Sequence, residues 1–325
     1  MKALLLKNKG DIKNLYIDTV PIPVPKKGEI CVRVKAVSLN PVDYQLIESG
    51  YPTWNYPFIL GLDVAGKVES VGSGVTDISI GDRIVYHGNL AKPGGYAQFS
   101  VVPAHVVAKI PDNVSYEAAA AVPCAGMTAY QAINRKFHPH MVESILIHGG
   151  NGGVGGFAIQ LAKKHGWRII STCSEKNMSY VKGLGADYTV DYKNQNVTDE
   201  ILSLTSGRGV DAIINTVSKS SAEEDFKRIA FNGHLVCIAG IADNQLIPPF
   251  TKGISIHEIA LGGAYLSNNH KSQLDLSIML TELMSLLSRK QLDPMILKVI
   301  SLEDIPKNLQ LLKERHVRGK IVAKL

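Results

Sequence analysis

The stretch from Glu143 to Gly166, ESILIHGGNGGVGGFAIQLAKKHG, constrains what this chain can fold into more than any other part of it. Ser144 to His148 is an apolar run of strand length, Gly149 to Gly156 is dense in glycine, and Phe157 to Lys164 spaces its apolar residues at the period of a helix. Within the turn Gly150, Gly152 and Gly155 satisfy G-x-G-x-x-G, which lets the backbone bend sharply and approach a pyrophosphate at the positive end of the following helix. Glycines alone also permit turns that bind nothing. Here a strand precedes, a helix follows and a second strand is predicted from Trp167 to Thr172, so dinucleotide binding is the reading that uses all of them.

A chain of 325 residues exceeds the usual size of one domain, so two are expected. Hydrophobic residues at 45% and charged residues at 20% are near globular averages and argue against disorder. The net charge of +6 comes from scattered lysines, which suits a solvated surface and an anionic ligand but lacks the clustering of a nucleic-acid groove. Cys31, Cys124, Cys173 and Cys237 lie far apart with no C-x-x-C pair, and are expected to be buried, reduced thiols. MKALLLKNKG is too short an apolar stretch for a signal peptide, and no segment reaches the roughly eighteen apolar residues of a membrane helix, so a cytoplasmic protein with no membrane partner is expected.

From the N-terminus, strands are predicted at Lys2 to Leu6, Leu15 to Asp18 and Glu29 to Ser38, then a helix from Asn40 to Ser49 opened by Pro41. The aromatic loop GYPTWNYPF follows. Short strands at Val64 to Val71, Arg83 to Tyr86, GGYAQFSVVP and HVVAKIP imply an antiparallel, barrel-like domain. YEAAAAVPCAGMTAYQAI is helical and interrupted at Pro123. Beyond Glu143, strands alternate with helices placed near Met178 to Leu184, Thr198 to Thr205 and Ala222 to Ala230, the rhythm of a doubly wound parallel sheet. IALGGAYL reads as the last strand of that series, Leu274 to Ser288 as a helix, and GKIVAKL as a strand returning to the first domain.

The segments SLNPVDY, GLDVAGKVESVGSGVTDISIGDRIV, GGYAQF, AAAAVPCAGMTAYQAI, ILIHGGNGGVGGFAIQLAK, GADYTVDY and GKIV resemble, in order, the zinc-free quinone oxidoreductase branch of the medium-chain dehydrogenase/reductase superfamily. The resemblance implies an α/β fold with a doubly wound parallel Rossmann sheet inserted into a mostly β, GroES-like barrel domain. The expected boundaries are 1–119 plus 265–325 for the catalytic domain and 120–264 for the cofactor domain. It also implies a homodimer and an active site in the cleft.

In the superfamily's zinc-dependent alcohol dehydrogenases, zinc ligands occupy the positions of Asn40, Leu62 and Cys124. Leu62 cannot bind and Asn40 is a poor ligand, so no metal is expected and Cys124 is read as an apolar filler without partners. The segment from His87 to Gly95 contains no cysteine for a structural zinc, and His138 and His140 in NRKFHPHM read as an exposed loop.

For the cofactor, an acidic residue at the end of the second strand would repel a 2′-phosphate; Ser174 is placed there, followed by Glu175 and Lys176. A shift of one residue would make Glu175 a ribose acceptor and NADH the cofactor. The resemblance favours Ser174, Lys176 and Tyr192 as a 2′-phosphate pocket, hence NADPH. By the same similarity Gly152, Gly153 and Val154 face the pyrophosphate, and Thr216, Ile238, Ala239, Thr128, Asn40 and Lys320 are further cofactor contacts.

Without a Lewis acid, removing an alcohol's proton is hard, and reduction of an electrophilic quinone or enone asks less of the protein. Asn40, Tyr44 and Tyr51 are expected to line the acceptor pocket, with Tyr51 donating to the acceptor oxygen. Asp43 and Asp63 are the nearest carboxylates and carry no proton-transfer role in this reading. The expected function is NADPH-dependent reduction of a quinone or α,β-unsaturated carbonyl compound. The alternatives are an enoyl-thioester reductase and a non-catalytic NADPH-binding module that contacts RNA or a protein partner.

Overall fold

The computed structural model describes residues 1–315 and 317–325. The chain divides into two units, Met1–Met127 with Leu261–Leu325, and Thr128–Ala260.

The first unit opens with β1 (Lys2–Leu6), β2 (Leu15–Thr19) and β3 (Glu29–Ser38), followed by helix α1 (Pro41–Ser49). Pro41 takes the first helical position, where its missing N–H costs nothing, and Gly50 ends the helix at a φ of 73°. Next come β4 (Phe58–Ile59), β5 (Asp63–Val71), β6 (Arg83–His87), β7 (Phe99–Pro103) and β8 (Ala108–Lys109). Helix α2 (Tyr116–Ala120), capped by Ser115, leads into α3 (Pro123–Gln131); Pro123 starts a new helix because it cannot continue the old one. The division between the units falls within α3.

In the second unit β9 (Ser144–His148), α4 (Gly153–Lys164), β10 (Arg168–Cys173), α5 (Met178–Leu184), β11 (Tyr188–Asp191), α6 (Val197–Leu204), β12 (Val210–Asn215), α7 (Lys219–Glu224), β13 (Ile229–Cys237) and β14 (Ser255–Glu258) follow one another. All six strands are parallel, in the order β11-β10-β9-β12-β13-β14. This is the doubly wound arrangement, reversing direction beside β9. The central strand SILIH is buried at every residue, as a parallel strand covered on both faces must be.

Two expectations fail in this unit's later part. Ser218 caps α7, which therefore starts at Lys219, ahead of the expected Ala222; the helix ends at Glu224, and β13 begins at Ile229, inside the stretch read as helix to Ala230. IALGGAYL is not the last strand: that strand is β14, with a single isoleucine, and the apolar run instead leads into the one-turn helix α8 (Gly263–Leu266).

The chain then completes the first unit with α9 (His270–Ser288), β15 (Ile296–Ile300), α10 (Ile305–Lys313) and β16 (Lys320–Lys324). The tail strand pairs antiparallel with β3, and the larger sheet runs β15-β16-β3-β5-β6-β8 with β7 also on β3. Its core combines both sequence segments: Ile30, Val37 and Ile84 with Ile305, Leu309 and Ile321, all buried. No helix among the described residues is long and apolar enough to cross a membrane.

Candidate functional site

In the first unit strand register decides which side chains meet. Asp63 pairs with Ser38 on one side and with His87 on the other, and residues directly opposed across antiparallel strands face the same side. Val322 pairs with Ser38, and continuing that register brings Lys320 opposite Asn40. The Lys320 ammonium, 3% exposed, donates to Asn40 Oδ1 at 2.5 Å and to the Leu39 carbonyl at 3.1 Å. It stands 3.8 Å from Asp63 Oδ2, which also accepts from Asn40 Nδ2 at 2.8 Å. Lysine only donates and a carboxylate only accepts, so these two partners fix which end of the amide is which. Asp63 Oδ1 accepts from the backbone N–H of Cys124 at 2.8 Å, in the first turn of α3, where a negative charge is favoured.

Asp43, in the first turn of α1, completes the cluster. Its Oδ2 accepts from the Asn40 backbone N–H and from the Tyr96 hydroxyl, both at 2.8 Å, while its buried Oδ1 has no partner among the described residues. Burial pushes the Asp43 carboxyl up to about 7, against the donors from Asn40 and Tyr96. Burial raises Asp63 as well, but the Lys320 charge, His87 and the Asn40 donor act on it in the opposite direction. One ammonium can balance one carboxylate. Asp63 faces that ammonium at 3.8 Å, so of the two carboxyls it is Asp43 that binds a proton the more readily. Burial also pulls the His87 imidazole down, against the Asp63 charge, and pushes the Cys124 thiol up, aided by that charge.

Tyr44 and Tyr51 are half-buried against the first unit's core. Tyr51 lies with its ring centroid 6.0 Å from Trp54, which stacks on Phe58 at 4.0 Å. Among the described residues neither tyrosine hydroxyl hydrogen-bonds the Asn40 cluster, so the expected trio is not one hydrogen-bonded group.

In the second unit the expected nucleotide contacts lie at the carboxyl ends of parallel strands. A Cβ on Gly150 would come 2.2 Å from Ser171 Oγ, and one on Gly155 would come 2.3 Å from the Gly149 carbonyl, so packing demands glycine at both. Gly152 is different: its nearest neighbour would be the Gly149 oxygen at 3.4 Å. Nothing within the unit requires Gly152 to be bare, and its missing side chain keeps the approach to the unsatisfied N–H groups of α4, from Gly153 and Val154 onward, open. That cradle fits a dinucleotide.

Ser174 follows β10, is buried, and accepts from Asn177 Nδ2 at 3.1 Å. Lys176 and Tyr192 are exposed beyond the ends of β10 and β11. Thr216 donates to the His148 carbonyl at 2.8 Å, the Ile238 N–H donates to the Asn215 carbonyl at 2.9 Å, Ala239 is exposed, and Thr128 is buried on α3. Beneath the turn, buried Asp225 joins His148 Nε2 at 2.9 Å, Asn215 Nδ2 at 2.7 Å and Arg228 Nη1 at 2.8 Å. Burial alone would raise Asp225, but His148, Asn215 and Arg228 hold it below the usual carboxylate range.

Residues 26–112 match the family described as alcohol dehydrogenase GroES-like domain, and residues 153–281 match the zinc-binding dehydrogenase family. The chain is 31% identical to the quinone oxidoreductase of Sus scrofa, over 74% of each chain. It is 38% identical to the chloroplast envelope quinone oxidoreductase homolog of Arabidopsis thaliana over 60% of this chain, a region spanning 61% of that relative's length. The solved quinone oxidoreductase of Coxiella burnetii superposes with a TM-score of 0.87 at 29% identity, covering 100% of this chain and 99% of the other.

The second family description implies zinc. Leu62 offers no donor atom and both ends of the Asn40 amide are engaged, so the ligand positions of the alcohol dehydrogenases do not fit the ion. Cys124 is nonetheless not without partners, as the sequence suggested: its Sγ, a carboxylate oxygen of Asp63 and a ring nitrogen of His87 lie within 4.8 Å of one another. Cys124 is also half-buried, where a buried thiol was expected.

Proposed function

Because this chain belongs to the quinone oxidoreductase branch of the medium-chain dehydrogenase/reductase superfamily, we propose that it uses NADPH to reduce a quinone or an α,β-unsaturated carbonyl compound. What supports the choice of nucleotide is the end of β10: Ser174, which in this reading takes the position where a carboxylate would repel a 2′-phosphate, is buried and uncharged, and Lys176 is exposed two residues on, past Glu175. Tyr192 completes the phosphate-facing set.

When bound, reduced nicotinamide supplies the hydride. The α4 N–H groups hold the pyrophosphate, and Thr216, Ile238, Ala239 and Thr128 fix the rest of the nucleotide. In the first unit the Lys320–Asn40–Asp63 chain holds the Asn40 amide in one orientation. The half-buried rings of Tyr44 and Tyr51, backed by Trp54 and Phe58 in the core, flank a conjugated acceptor, and the Tyr51 hydroxyl donates to its oxygen as negative charge develops there.

Dissociation constants for NADPH and NADH, together with turnover of a quinone, a short enone and an enoyl thioester, test this reading. NADPH is expected to bind at least about tenfold more tightly, ~1.4 kcal/mol, with the quinone or enone as the better acceptor. Equal or tighter NADH binding removes the phosphate pocket, and preference for the thioester replaces the acceptor class.

A further inference from the structure

The first unit holds a set of metal-type donors that the reductase reading leaves unused. A carboxylate, an imidazole and a thiol, from Asp63, His87 and Cys124, have donor atoms within 4.8 Å of one another. These are the three side-chain types that bind zinc. His87 is 4% exposed and its Nδ1 is buried with no hydrogen-bond partner among the described residues, an orphaned donor atom of the kind that a ligand would satisfy.

Against occupancy stands one fixed charge. Lys320 Nζ is 3.8 Å from Asp63 Oδ2 and is anchored by the Leu39 carbonyl and by Asn40 Oδ1. It cannot swing out to solvent without stranding both acceptors in a buried site. A divalent ion on Asp63 would sit beside that ammonium and compete with it for the same carboxylate. We propose that Lys320 is the resident cation of this pocket, and that its ammonium keeps a divalent metal off a latent Asp63–His87–Cys124 site. Neutralising Lys320 converts the trio into a three-donor site for a borderline-soft dication, with the Cys124 thiol releasing its proton to solvent as the metal–sulfur bond forms.

The test is anaerobic titration of cobalt(II) into the chelator-treated full chain. Stoichiometry is read by equilibrium dialysis and ligation by the thiolate-to-cobalt charge-transfer band. The wild type is expected to show no such band at concentrations that saturate Lys320→Met with one equivalent. Lys320→Arg, which keeps the charge, is expected to behave as wild type, and Cys124→Ser added to Lys320→Met should abolish the band and weaken binding at least tenfold. A wild type that takes up one equivalent as tightly as Lys320→Met, or a folded Lys320→Met that binds none, overturns the proposal. Should Lys320→Met not fold, Lys320→Gln serves in its place. The wild-type titration needs no variant, and a stoichiometric thiolate band there is decisive against the proposal.

Discussion

Two carboxylates and one ammonium share the interior of the first unit, and the residue left without a counter-charge is Asp43. Its pKa, pushed up to about 7 in the fold, exceeds the roughly 3.9 of an unfolded aspartate. Between those values the folded chain holds a proton that the unfolded chain has lost, so stability falls as pH rises from about 4 to about 7 and levels off above. Asp43→Asn, neutral at every pH, should flatten that slope. Thermal melts of both proteins from pH 5 to 8 check it; parallel curves would mean that Asp43 is ionised throughout. Asp43 and Asp63 were visible in the sequence as neighbours of Asn40, but their division of labour was not. It follows from a lysine far along the chain, and from His87, whose place beside Asp63 is fixed by register between strands.

At the scale of the element, the glycine turn separates packing from binding. Gly155→Ala places a methyl 2.3 Å from a backbone oxygen that cannot move aside, and should cost about 1–3 kcal/mol of stability. Gly152→Ala meets nothing closer than 3.4 Å, and stability should change by no more than about 0.5 kcal/mol while nucleotide affinity falls. Denaturant melts beside NADPH titrations separate the two. This turn was legible because strand, glycines and helix are contiguous, as were β3 and α4, whose apolar periods are strong. IALGGAYL misled because a short apolar run carries no period that tells strand from helix. The true last strand, SIHE, is hard to read for the opposite reason: it lies at a sheet edge, where partial exposure removes the need for apolar residues.

At the scale of the molecule, the first unit depends on a strand that the second unit's sequence separates from the rest. Ile321, Val322 and Ala323 of β16 are fully buried, and removing the isoleucine and valine from the core alone gives up about 3–6 kcal/mol. That is comparable with the whole stability of a domain. A chain ending at Gly319 should therefore lose the first unit's cooperative melt and become protease-sensitive there, while fragments from 128–260 persist. Equal resistance of both units would contradict this.

The β16 strand also has a consequence for how the protein is made. Before it arrives, β7 covers only the first half of the β3 edge, from Glu29 to Arg33, and the half that leads to Asn40 has no partner on that side. During translation the second unit, continuous in sequence, can be completed while the first still presents an open ladder of amides and carbonyls. A ribosome paused between codons 260 and 320 would thus display a nascent chain prone to pairing with its neighbours, and chaperone demand should peak there.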